Sequence, residues 1–146
     1  MSDHQNAGLW PELPIEFFVI GIPVSMQGST RSKNDWQQRV RAAAMNAVPS
    51  GSWAITEVRL SVSIIYFPME PLRGDVDNRI KLVLDALQPN LLVDDALVDR
   101  VLALRVQPET EVTFARPTPV LLAAMASAEP TVYIMVDEAP LENIWI

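Results

Sequence analysis

Residues 73–95, RGDVDNRIKLVLDALQPNLLVDD, constrain the fold more than any other part of this chain. Ile80, Val83, Leu84 and Leu87 recur at i, i+3, i+4 and i+7, the seam of a helix that lays one face on a core. Asp77, Asn78, Lys81, Asp85 and Gln88 take the other side, with Asp77, Lys81 and Asp85 four apart. A β-pattern ends at Pro68 and Pro71 just before this stretch, and another begins near Val98 just after it. The helix must therefore connect two strands. Asp75, Asp77, Asp85, Asp94 and Asp95 all fall within the same passage. So much negative charge repels itself unless something positive sits among it, and the usual positive partner is a divalent metal.

The rest of the chain supplies the scaffold. Residues 1–14 hold Gly8, Pro11 and Pro14 and read as a flexible lead in which Trp10 is the residue able to dock. Residues 15–22, IEFFVIGI, are a nearly continuous apolar strand ended by Pro23. A loop, PVSMQGSTRSKND, follows and is made basic by Arg31 and Lys33. Asn34 or Asp35 is expected to cap a helix with Trp36, Val40, Ala43, Ala44 and Ala47 on one side and Gln37 and Arg41 beyond the other. Residues 54–67 alternate apolar and polar, which predicts a long strand buried on one face. A strand over 98–107, a short helix opened by Thr118 and Pro119, and a last strand over 131–136 complete the series.

The order β-α-β-α-β-α-β predicts a single small α/β (α+β) domain, a mixed β-sheet flanked by helices, over residues 15–137, with an apolar tail at 138–146. Asp75 and Asp77 would stand where one strand hands over to the helix, and Asp94 and Asp95 where the next strand begins. Ends of neighbouring strands can meet in space, which offers a way for the carboxylates to converge.

At 146 residues the chain is long enough for one domain with a real core. The absence of cysteine excludes disulfides and thiolate-held zinc. The N-terminal segment has neither the basic nor the apolar region of a signal peptide, and no apolar run is long enough to span a membrane. A cytoplasmic location is the expectation. The net charge of −7 argues against indiscriminate coating of nucleic acid, which runs on Lys and Arg. The excess acid lies beyond residue 81, so Arg31, Lys33, Arg39, Arg41, Arg73, Arg79 and Lys81 can still make a local positive surface.

Several chemistries fit a carboxylate cluster, and spacing separates them. In the plainest reading Asp77 caps the helix, Lys81 pairs with Asp77 and Asp85, and Asp94 and Asp95 are solvated turn residues. That reading gives Asp75 no role. An EF-hand loop begun at Asp75 needs glycine sixth and glutamate twelfth, where Ile80 and Ala86 stand. Nucleophilic triads lack a partner, since the one histidine is His4 in the lead. A hard oxygen-ligand site for Mg²⁺ or Mn²⁺ remains, in which two or three carboxylates hold the metal and water fills the other positions. Such a site suits phosphodiester hydrolysis, where a nearby lysine can orient water or neutralise developing charge.

These residues also resemble a known family. Arg73, Gly74, Asp75, Val76, Asp77, Asn78, Arg79, Ile80 and Lys81, then Asp85, Ala86 and Leu87, then Val93, Asp94, Asp95 and Ala96, match the signature R-x-D-x-D-N-x-x-K-x-x-x-D-x-L followed by D-D of the RusA-like Holliday-junction resolvases. The likeness extends more loosely over most of residues 15–107. It implies that Asp75, Asp77 and Asp95 are metal-binding carboxylates, that Lys81 is the catalytic lysine, and that Asn78, Asp85 and Asp94 support them. It further implies Mg²⁺ dependence, with Mn²⁺ as a substitute, a homodimer, and paired nicks in a four-way DNA junction. Arg31, Lys33, Arg73 and Arg79 would then contact DNA phosphates. Two features depart from the pattern: an acidic pI of about 4.6, and residues 108–130, longer than the family needs and expected to reshape the dimer or recruit a partner. Two rivals stand beside the resolvase reading. One is a nuclease acting on flaps or forks; the other is a non-catalytic DNA-binding or assembly module with a structural metal.

Overall fold

The computed structural model describes residues 9–71, 74 and 76–140. Four strands and three helices alternate as β1 (Ile15–Ile20), α1 (Thr30–Asn46), β2 (Leu60–Phe67), α2 (Ile80–Ala86), β3 (Val98–Arg105), α3 (Pro119–Met125) and β4 (Thr131–Glu138). Two 3-10 turns, Asp77–Arg79 and Asp95–Leu97, lead into α2 and β3. The sheet runs β1-β4-β2-β3, with β4 antiparallel to both its neighbours and β2 parallel to β3. This is the expected α+β domain on a mixed sheet. Parallel strands cannot be joined by a hairpin, so the β2-to-β3 passage needs the crossover that α2 provides.

One sheet face carries Phe17, Val19, Val62, Ile64, Val132, Ile134 and Val136 against Trp36, Val40 and Ala44 of α1 and Leu82, Val83 and Ala86 of α2. The opposite face packs Ile65 and Tyr133 on Leu121 and Ala124 of α3, with Phe114 and Val120 alongside. Residues 108–130, expected to serve a dimer or a partner, thus help cover the chain's own sheet. Glu16 ties this layer down by accepting hydrogen bonds from Tyr133 Oη and Thr118 Oγ1, each at 2.5 Å. Burial and the Glu16 carboxylate push the Tyr133 phenol well above its usual range.

Three sequence expectations change. The strand expected over 54–67 starts only at Leu60, with Ile55 making an isolated bridge to Leu92. It is buried on both faces, Ser61 and Ser63 included, because β2 is an interior strand of a sheet covered on each side. Helix α1 begins at Thr30, not beyond Asn34 or Asp35; Ser29 is its N-cap and accepts from the Ser32 amide at 3.1 Å. The amphipathic pattern starts later, at Trp36, because the first turn projects past the core. Gln37 and Arg41, expected to face away from the core, are partly buried and turned onto α2.

At the termini, the Leu9 carbonyl accepts from the Trp53 amide at 2.8 Å, and Trp10 meets Trp53 edge-on at 6.5 Å. Ala139 is buried and donates to the Arg59 carbonyl at 2.8 Å. The remaining tail, 141–146, lies outside the described residues. No helix among the described residues is long and apolar enough to cross a membrane.

Candidate active site

The connection from β2 reaches the first 3-10 turn through Gly74, whose φ of 103° lies in the left-handed region that glycine adopts without a Cβ penalty. Arg105 Nη1, at the end of β3, donates to the Gly74 carbonyl at 2.9 Å. The turn itself is fastened to the loop before α1. The Met26 amide donates to the Asn78 carbonyl at 3.1 Å, Asn78 Nδ2 donates to Gln27 Oε1, and Arg79 Nη1 donates to the Pro23 carbonyl. No side chain caps either this turn or α2, so the exposed Asp77 carboxylate is not engaged in capping.

Helix α2 is covered from two directions. Val83 and the following Leu87 are buried as the seam requires, and Leu82, outside that seam, is buried as well. The reason is α1, whose Gln37 Nε2 donates to the Leu82 carbonyl at 3.2 Å and whose Arg41 Nε donates to the Ala86 carbonyl at 3.1 Å. That leaves Lys81 and Asp85 on the solvent side. Lys81 Nζ lies 2.9 Å from Asp85 Oδ1 and 3.8 Å from Asp95 Oδ2, which identifies its partners as Asp85 and Asp95 among the described residues, and not Asp77. The hydrogen bond that Lys81 donates to Asp85, the charge of Asp85 and then that of Asp95 raise the Lys81 ammonium above its ordinary value of 10.5. Lys81 is therefore a cation at neutral pH, suited to neutralising charge and not to accepting a proton.

Asp94 and Asp95 open the second 3-10 turn. Asp94 Oδ1 accepts from the Ala96 amide at 2.8 Å and so caps it. The Asp95 amide donates to Gln88 Oε1 at 3.0 Å. From below, Arg59 donates to the Ala96 carbonyl at 2.7 Å and forms a two-bond pair with Asp99. Because β2 and β3 are parallel, the end of β2 and the start of β3 lie at opposite ends of the pair. The link between Asp95 and the helix is thus made by the side chains of Lys81 and Gln88, not by adjacent strand ends.

Of the expected ligands, Asp77 and Asp95 are described; Asp75 lies outside the described residues, as does Arg73. Among the described residues no group of three or more Asp, Glu or His stands ready to hold a metal. The donor set still suits a hard cation. Asp77 and Asp95 present carboxylate oxygens open to solvent, the donor type that hard cations take alongside water. Of the expected DNA contacts, Arg31 is exposed on the first turn of α1. Lys33 donates to the Met26 carbonyl at 3.3 Å, and Arg79 is held by Pro23. Lys33 thus ties the loop over residues 23–28 to α1, and Arg79 braces the same loop against the Asp77 turn.

Residues 26–115 match the model of the family described as Endodeoxyribonuclease RusA. The chain belongs to that family. The match spans α1 through β3, taking in both 3-10 turns and every expected site residue, while β1, α3 and β4 lie outside it. Among curated proteins none matches the chain. The RusA assignment makes this an endodeoxyribonuclease domain, and the resemblance read from residues 73–96 falls wholly within the matched segment. Sequence reasoning passed over Gln27, Gln37, Arg41 and Gln88 as bracing residues. Only Gln88 left a trace in the sequence, as the next member of the polar face that carries Asp77, Lys81 and Asp85.

Proposed function

We propose that this RusA-family protein is a Mg²⁺-dependent, structure-specific endodeoxyribonuclease that resolves four-way DNA junctions by paired phosphodiester hydrolysis, in recombination and repair in the cytoplasm. The observation that carries the reading is the Lys81 ammonium, 2.9 Å from Asp85 and 3.8 Å from Asp95 and one helical turn beyond Asp77. A cation placed among these carboxylates suits a centre that handles phosphate charge better than it suits a structural calcium loop.

Asp75, Asp77 and Asp95 would hold the metal, with Mn²⁺ as an alternative to Mg²⁺. When bound there, the metal would supply an activated water and neutralise charge on the phosphate. Lys81 contributes a fixed positive charge at the oxygen where negative charge develops. Asp85 aims Lys81, Asn78 secures the Asp77 turn through Gln27 and Met26, and Asp94 shapes the turn that presents Asp95. Arg31 and Lys33 at the start of α1, Arg79 in the first 3-10 turn, and Arg73 would meet the DNA backbone. The protein would act as a homodimer, since a junction with two-fold symmetry needs two symmetric cuts.

The test is incubation of a synthetic four-way junction and of linear duplex with the wild type and Asp77→Asn, in Mg²⁺ and in chelator. Paired nicks in the junction, dependent on Mg²⁺ and abolished in Asp77→Asn, are expected. No cleavage of any branched DNA in Mg²⁺ or Mn²⁺ would sink the enzyme reading, and cleavage untouched by Asp77→Asn would sink the site.

A further inference from the structure

Asp95 reaches Lys81 from a separate turn, so something must fix that turn relative to the helix. The Asp95 amide is the first N–H of a 3-10 turn, a donor that has no partner within its own turn. Gln88 provides that partner through Oε1 at 3.0 Å. Gln88 is in turn held at three points. Its Nε2 donates to the Leu84 carbonyl at 3.4 Å, its amide donates to the Asp85 carbonyl at 3.2 Å, and its carbonyl accepts from Arg41 Nη2 at 3.4 Å. Arg41 also grips the Ala86 carbonyl at 3.1 Å. A continuous path of hydrogen bonds therefore runs from α1 through the end of α2 to the backbone of Asp95.

We infer that Gln88 is a positioning residue, whose side-chain carbonyl sets the Asp95 carboxylate at its working distance from Lys81, and that Arg41 holds Gln88 in place. This rests on the nuclease reading above. Half-buried and bonded to protein on each side, Gln88 acts through Asp95. Partners that orient a metal-binding group through a hydrogen bond typically change affinity or activity by about 10–100-fold when removed.

Gln88→Met keeps the length of the side chain and removes the acceptor, whereas Gln88→Glu keeps an acceptor in the same place. The experiment measures Mn²⁺ affinity without DNA by paramagnetic resonance, junction affinity in chelator, kcat and KM in Mg²⁺, and the melting temperature. Gln88→Met is expected to bind Mn²⁺ about 10–100-fold more weakly and to lose kcat by a similar factor. Junction affinity and KM should hold, and melting should stay within about 5 °C of the wild type. Gln88→Glu should recover most of the Mn²⁺ affinity. Wild-type Mn²⁺ affinity and kcat in Gln88→Met overturn the inference, and so does a large fall in melting temperature that accounts for the losses. A wild type that neither binds Mn²⁺ nor cuts branched DNA overturns the nuclease reading itself, and this inference with it.

Discussion

Replacing Lys81 with methionine separates a hydrolytic site from a surface ion pair. Lys81 Nζ lies 2.9 Å from Asp85 and 3.8 Å from Asp95, and its side chain is 55% exposed, with 35% and 42% exposure for the two partners. Two unit charges about 4 Å apart attract by roughly 1 kcal/mol in water and roughly 4 kcal/mol at an effective dielectric of about 20. Exposure of this degree places the pairs near the lower figure, and measured exposed pairs net only about 0.2–1 kcal/mol after side-chain ordering. Lys81→Met should therefore cost about 1 kcal/mol or less of stability, a melting shift of no more than about 4 °C for a chain of this size. Its effect on cleavage should be far larger. Loss of a group that stabilises charge only in the transition state typically lowers kcat by about 100–1000-fold, or roughly 2.7–4 kcal/mol. Metal binding should move the other way, because the carboxylates lose the cation that offsets their charge. The assay is single-turnover cleavage of a four-way junction in Mg²⁺, with Mn²⁺ titration and calorimetry on the same preparations. A variant with near wild-type kcat, or one whose Mn²⁺ affinity falls together with its stability, would refute the reasoning.

Three further outcomes follow from the same geometry. Because Asp85 and Asp95 raise the Lys81 ammonium above 10.5, its charge and the small stabilisation of its pairs persist below that value and vanish as pH rises through the elevated one. The pH–rate profile should accordingly show no alkaline loss traceable to Lys81 below about pH 10, checked by comparing the wild type with Lys81→Arg. Thr118→Ala removes the α3 cap, which bonds both the Leu121 amide and Glu16, and should cost about 1 kcal/mol in urea denaturation while junction cleavage is unchanged; a loss of cleavage without unfolding would contradict the purely structural role of α3. Leu87→Ala empties a site only 1% exposed at the junction of α2 with the core, and should lower the urea midpoint by an amount equivalent to about 2–5 kcal/mol with little change in slope.

Local pattern in the sequence determined a good deal of this protein. The order of strands and helices, the Thr118 cap with Pro119 after it, the helix carrying Lys81 and Asp85 outward, and the family itself are all legible from spacing, because each depends on residues within a few positions of one another. Tertiary structure decided what lies across long separations. Periodicity reports one apolar face, so it missed that β2 is covered on both sides and that α1 buries Leu82 on a second flank of α2. Five Ser, Thr, Asn and Asp residues crowd positions 29–35, and the core contact that begins at Trp36 could not choose Ser29 among them. Residues 73–95 specify which charges share a passage. Whether Lys81 turns to Asp77 or to Asp95, and whether Gln88 and Arg41 face solvent or brace the site, depends on how α1 and the second 3-10 turn pack against α2. That packing joins Arg41 to Ala86 across 45 positions, a separation at which local spacing carries no information.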